Sequence, residues 1–189
     1  MADNGLTFPY VLVIGAAGID TKGRAGTALT LGSSTPGVVR VSVGGTARNV
    51  ADNLARLGID TILISAIGTG GNGRRILQNA ERVGINTDYV IVSDQHHTSA
   101  YLAVLDETGS LVMSVDDMEI LACVTPQIIN YRRGLIREAE MVVIDSNLPK
   151  STIRSIFKAA KRYNTPVCAD PASTAVAPRR APPYARLGT

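Results

Sequence analysis

The sequence predicts an α/β fold with a mostly parallel central sheet, and three observations support that expectation. Short continuous apolar runs at Tyr10 to Ile14, Thr61 to Ile67 and Met141 to Ile144 read as strands buried on both faces. Amphipathic helical patterns alternate with those runs, as parallel crossover connections require. Glycines or acids follow the strand ends, where open α/β sheets place their ligand sites.

The 189-residue chain fits one domain large enough to bury a core. With 45% hydrophobic and 19% charged residues it is globular rather than disordered. The net charge is +3, but the 19 Lys and Arg are dispersed, aromatics make up 4% and Trp is absent. Without a basic stripe carrying stacking aromatics, nucleic acid is not an expected partner. Cys123 and Cys168 form neither a metal cluster nor a disulfide framework, which fits a reducing compartment. Met1 to Pro9 lacks the basic and apolar regions of a signal peptide. No apolar run approaches the roughly 20 residues of a membrane span. A soluble cytoplasmic protein is expected.

In chain order, Tyr10 to Ile14 is the first strand, and Gly15 to Gly18 turn the chain. Asp20 and Lys22 follow that turn, with Asp20 either a ligand group or a turn or cap aspartate. Gly23 to Gly37, rich in Gly, Ser and Thr, reads as a mobile loop. Val38 to Val43 alternates apolar residues with Arg40 and Ser42, the pattern of a strand with one wet face. Gly44 and Gly45 then open a helix with Val50, Leu54 and Leu57 on one face, closed at Gly58. Adjacent glycines let a ligand approach the main chain, and the helix start adds free N–H groups beside Asn49.

Thr61 to Ile67 leads into Gly68 to Gly73, which matches G-x-G-x-x-G before a helix from about Arg74 to Val83, with Asp88 as the following acid. A dinucleotide fold carries that turn in its first βα unit, so a nicotinamide-dependent oxidoreductase is the less favoured reading. Thr98 to Leu105 and Leu111 to Val115 alternate around the turn Asp106 to Gly109 and form a hairpin. With Val38 to Val43 it composes a small projecting sheet, a lid over about 34–43 and 98–116. One helix covers Pro126 to Glu138 and another Lys150 to Tyr163. The strand Met141 to Ile144 ends in Asp145-Ser146-Asn147, and the strand Thr165 to Ala169 ends in Asp170. Asp145 and Asp170 are either site acids or helix-capping or loop residues. Residues 172–189, with three prolines and no periodicity, read as an irregular tail.

Five ordered motifs carry a resemblance spanning about Val11 to Ser173. They are S-T-P-G at Ser34 to Gly37, G-G-x-x-R-N at Gly44 to Asn49, T-S-x-Y-L at Thr98 to Leu102, L-D-x-T-G at Leu105 to Gly109 and D-M at Asp117 to Met118. Together they resemble the ribokinase-like (PfkB) sugar and nucleoside kinases, and within them the pseudouridine-kinase branch. The resemblance implies a ribokinase-like three-layer βα sandwich with a β-sheet lid. It implies that Asp20, Gly44, Gly45 and Asn49 hold ribose hydroxyls. Lys22, Thr98, Tyr101 and Asn147 would contact the base or the pocket wall. The implied reaction moves the ATP γ-phosphoryl to the ribose 5′-hydroxyl with Mg²⁺, a monovalent cation being a further candidate group, and the lid implies a homodimer.

Two departures qualify these expectations. The family's G-D-x-x-G acid has no counterpart in Gly68 to Gly73, and neither a D-T-x-G-A-G-D nor an N-x-x-E stretch occurs. Phosphoryl transfer depends on positioned charge and N–H groups, so the sequence reads as the substrate-binding half of a kinase. It would be inactive alone, with no catalytic residue and with ATP and Mg²⁺ held mainly by the missing part. A non-catalytic ribose- or nucleoside-binding module is the alternative.

Overall fold

The computed structural model describes residues 9–171. The expected tail over 172–189 lies outside them. Five strands form the central sheet: β1 (Val11–Ile14), β4 (Thr61–Ile64), β6 (Ile85–Asn86), β10 (Met141–Asp145) and β11 (Val167–Asp170). Their order is β11-β10-β1-β4-β6, and every pairing is parallel. Such a sheet must be covered on both faces. Leu12, Ile14, Ile62, Ile64, Val142 and Ile144 pack toward α3 (Pro126–Tyr131), α4 (Arg133–Glu138) and α5 (Lys150–Tyr163). Val13 and Leu63 pack on the opposite face against Ala47 and Ala51 of α1 (Thr46–Arg56) and Ala80 of α2 (Gly71–Arg82). This is the ribokinase-like three-layer α/β arrangement, and it agrees with the sequence-derived fold class. No helix among the described residues is long and apolar enough to cross a membrane.

A second sheet stands apart from the first. Its strands are β2 (Gly18–Ala25), β3 (Gly37–Gly44), β8 (Ser99–Leu105) and β9 (Leu111–Asp117), in the order β3-β2-β8-β9. β2 is its spine, antiparallel to β3 and parallel to β8. Residues in lateral register share a face. Asp20, Lys22, Arg40, Ser42, Tyr101 and Asp116 therefore line one face. Val39, Val41, Leu102, Val104, Met113 and Val115 line the other. Only the root of the apolar face is buried, where Ile19 and Val43 meet Ile67, Ile76 and Leu77.

Several local expectations change. The segment read as a turn and the start of a mobile loop is β2, with Asp20 and Lys22 inside it. The run Thr61 to Ile67 divides at Ser65, and β5 (Ala66–Gly68) leaves the central sheet to pair with β7 (Ile91–Ser93). The Ser65 carbonyl marks the departure by accepting from Ile91 N (2.8 Å). The single helix expected over Pro126 to Glu138 is two, broken at Arg132. The Arg132 guanidinium donates to the Tyr89 carbonyl (2.5 Å) and lies over the Tyr89 ring, and Gly134 follows, a poor helix former. Leu57, expected on the apolar face of α1, is 76% exposed at the C-cap. The small Ala47 and Ala51 bring the helix close to the sheet instead, while Val50 and Leu54 line an open apolar groove of about 470 Å³ beside Met141 and Val143.

Candidate functional site

The central sheet reverses its winding at β1, whose neighbours β4 and β10 belong to opposite halves of the chain. A crevice outside the carboxyl ends of the strands is the expected ligand position at such a point. Here the main chain leaves β1 at Gly15 and rises as β2 into the second sheet. It returns through β3 and enters α1 at Gly44-Gly45.

Both glycines are dictated by close approaches. A Cβ on Gly44 would run into the Asp20 carboxylate. Gly45, the N-cap, has φ +94° and passes so near that a Cβ would lie 2.5 Å from Ala16 O and 2.6 Å from Ala17 Cα. No side chain caps α1 locally. Asp145, at the end of β10, does so from across the sheet. Its Oδ2 accepts from Ala16 N (2.6 Å) and Ala47 N (3.2 Å), and its Oδ1 accepts from Asn147 N (2.9 Å). This carboxylate is only 1% exposed, and burial pushes its pKa above the ordinary aspartate value against the pull of those donors. Arg48 N donates to Ala16 O and Asn49 N to Gly45 O. The N–H groups of Gly45 and Thr46 are left without an acceptor among the described residues, beside the positive end of the helix.

The sequence-derived candidates fall into groups. Asp20, Gly44 and Gly45 form one cluster, and Asn49 sits exposed in the opening turns of α1 directly after it. Lys22 and Tyr101 lie on the same face of the outer sheet as Asp20, Tyr101 in register beside it. Asn147 is half-buried at the carboxyl end of β10, joined to the cluster through Asp145. Thr98 stands apart. It is buried, and its Oγ1 accepts from Gly68 N (3.0 Å) at the base of β5.

The glycine motif Gly68 to Gly73 is spent on packing. A Cβ on Gly73 would strike the Gly68 carbonyl, and one on Gly68 would lie 2.7 Å from His96 O. Its acid, Asp88, accepts from Asn86 Nδ2 (3.3 Å) while its N–H donates to Asn86 Oδ1 (3.0 Å), and the motif follows the peripheral strand β5 rather than β1. Sequence reasoning missed Arg48, a charged residue buried beneath the cluster, and Arg40, which pairs laterally with Lys22. Arg48 was legible as an arginine on the apolar side of the helix pattern. Arg40 was hidden because β2 was not read as a strand. Among the described residues no three His, Cys, Asp or Glu side chains converge.

Comparison with known proteins places this geometry in a class. The model of the pfkB family carbohydrate kinases matches residues 9–187, and the chain belongs to that family. It is 34% identical over 164 residues to the pseudouridine kinase of Escherichia coli, covering 87% of this chain and 52% of that protein. A carbohydrate kinase from Agrobacterium tumefaciens has the same fold with a TM-score of 0.75 at 29% identity, over 86% of this chain and 53% of its own. Arabidopsis thaliana ribokinase, solved with ribose and ATP, superposes with a TM-score of 0.76 at 20% identity, over 87% of this chain and 54% of its own, which is a likeness of fold. The chain thus spans about half the length of the curated relatives it matches.

Proposed function

We propose that this chain carries the substrate-binding half of an ATP-dependent, Mg²⁺-assisted cytoplasmic kinase acting on the 5′-hydroxyl of a ribosyl substrate, pseudouridine foremost. The observation that carries the reading is the close apposition of the Asp20 carboxylate, the Gly44-Gly45 main chain and the start of α1. A vicinal diol needs acceptors and donors within a short span. A carboxylate accepts, while an amide and free N–H groups donate. Lys22 and Tyr101, on the polar face of the outer sheet, suit the carbonyl-rich edge of a uracil ring. That sheet would act as a lid excluding water, and its apolar face would pair with a second copy. Family membership and the likeness to a pseudouridine kinase support the substrate class; the bare sugar is the nearest competitor.

The groups present bind and orient a sugar but include no assigned proton acceptor for the 5′-hydroxyl, so the chain alone should transfer phosphoryl groups poorly. Calorimetric titration with pseudouridine, uridine and ribose tests the reading. Pseudouridine is expected to bind tightest, and Asp20→Asn to weaken it at least tenfold, about 1.4 kcal/mol. Failure of all three ligands to bind the folded chain would overturn it.

A further inference from the structure

Arg48 is a buried charge at the edge of the cluster, 7% exposed. Its four terminal N–H positions meet four acceptors. Nη1 donates to Asn49 Oδ1 (2.9 Å) and to Val43 O (3.4 Å). Nη2 donates to Asp52 Oδ1 (3.2 Å) and to Asn79 Oδ1 (2.5 Å). The arginine therefore ties the end of β3, the start of α1 and the C-terminal half of α2 to one planar group.

Burying a guanidinium is costly: desolvation lowers the Arg48 pKa, with Asp52 and Asp20 favouring its charge, and Nε has no partner among the described residues. An ion pair to Asp52 alone would not require it. Arg56 already serves that carboxylate at 2.8 Å from the surface. What only a rigid fork can do is hold several acceptors in fixed directions at once. One of those acceptors is the oxygen of Asn49. An asparagine amide offers a ligand either its oxygen or its nitrogen. Arg48 turns Oδ1 toward itself and uses one of its two acceptor sites, while Asn49 Nδ2 makes no hydrogen bond among the described residues and is the end left open to a ligand.

We propose that Arg48 is a positioning residue: its guanidinium locks the Asn49 carboxamide so that the site presents N–H donors, not a carbonyl, to a substrate hydroxyl. The inference rests on Asn49 belonging to the ribosyl cradle, and it adds that the cradle divides its labour, Asp20 accepting and Asn49 only donating. It also links α2 to the site, because Asn79 helps hold the fork.

A double-mutant cycle on the full chain, read by calorimetric titration with pseudouridine, tests it. Asn49→Ala should weaken binding about tenfold, and Arg48→Lys, which keeps the charge but not the fork, about fivefold. Beside Asn49→Ala, Arg48→Lys should cost less than about twofold, since its target is gone. A penalty that persists undiminished in the Asn49→Ala background, or no penalty at all, overturns the proposal. Should Arg48→Lys not fold, Asn79→Ala is read in the same cycle, because it removes one anchor of the fork and leaves the charge. A second arm needs no ligand. The Asn49 side-chain amide signals in a ¹⁵N correlation spectrum should be dispersed in the wild type and move toward free-amide positions in Arg48→Lys or Asn79→Ala. Unmoved signals overturn the proposal even if no nucleoside binds, whereas absent wild-type binding with moved signals condemns the cradle reading and leaves the Arg48 lock standing.

Discussion

The two sheets obey opposite rules. In the central sheet, Val11–Ile14, Thr61–Ile64 and Met141–Asp145 are apolar except for Thr61 and Asp145 at their ends, because helices cover both faces. In the outer sheet the strands are longer and every residue of β9 is exposed, with a polar face and an apolar face that is buried only at its root. The first sheet derives its stability from burial, the second from pairing along β2 and from two helix-anchored contacts. The proposed site lies where the chain passes from one regime to the other, at Gly15 to Asp20 and Val43 to Ala47. A rigid floor and a loosely supported cover are what a site needs if it is to close over a substrate.

Truncation to alanine in each sheet should expose that difference. Leu12→Ala, at a fully buried position of β1, should destabilise the chain by about 2–5 kcal/mol in a denaturant titration. Val39→Ala, on the exposed face of β3, should stay within about 0.5 kcal/mol. Comparable losses at both positions would mean that the outer sheet is supported far better than its exposure implies.

Asp145 joins the two regimes, and its loss ranks next. Asp145→Ala strands the Ala16, Ala47 and Asn147 N–H groups in a buried setting and should cost about 2–4 kcal/mol. Its charge has a separate signature. A carboxyl whose folded pKa is raised makes the native state bind protons more tightly than the unfolded one. The stability this confers is complete below the unfolded value of about 3.9 and is lost as pH rises through the folded value. Wild-type stability should therefore fall with rising pH across that window relative to Asp145→Asn, which has no such proton. Parallel pH profiles for the two proteins would refute the assignment.

The same contrast decides what the sequence disclosed. The central strands β1, β4, β10 and β11 and the helices α1, α2 and α5 were legible because burial writes a pattern into each segment separately. β2 was not: Gly-Ile-Asp-Thr-Lys-Gly-Arg-Ala carries little apolar content, and it becomes a strand only by pairing with β3 and β8. Short β6 and β7 escaped for the same reason. In the site, Asp20 and the glycine pair were visible as local chemistry. That Asp145 caps a helix was one of the readings left open, but not that the helix is α1, whose Ala47 lies 98 residues away. The fork of Arg48 was not foreseen, since its partners Asn79 and Val43 lie on other elements.

Gly44 offers a smaller and more selective perturbation. Gly44→Ala places a methyl against the Asp20 carboxylate without the positive φ that makes Gly45 irreplaceable. The carboxylate must turn aside, so pseudouridine affinity should drop about tenfold while stability changes by less than about 1 kcal/mol. A large stability loss with unchanged affinity would show that the glycine serves the junction between the sheets rather than the ligand.

The smallest effect on the folded chain is expected on the far side of the outer sheet. Val41 and Val115 are 48% and 68% exposed on an apolar face that continues through Leu102 and Met113. A contiguous patch of this kind usually marks an interaction surface. If two copies pair there, Val41→Asp buries a charge in the dimer but meets only water in the monomer. Sedimentation should then show the wild type as a dimer and Val41→Asp as a monomer, with the monomer's unfolding midpoint nearly unchanged. The variant should also bind pseudouridine more weakly, because a cover held by pairing loses its support when the pair separates. A wild type that sediments as a monomer at all concentrations would leave the apolar face without this partner. The outer sheet would then depend for its order on β2 and on the contacts of Ile19 and Val43 with β5 and α2.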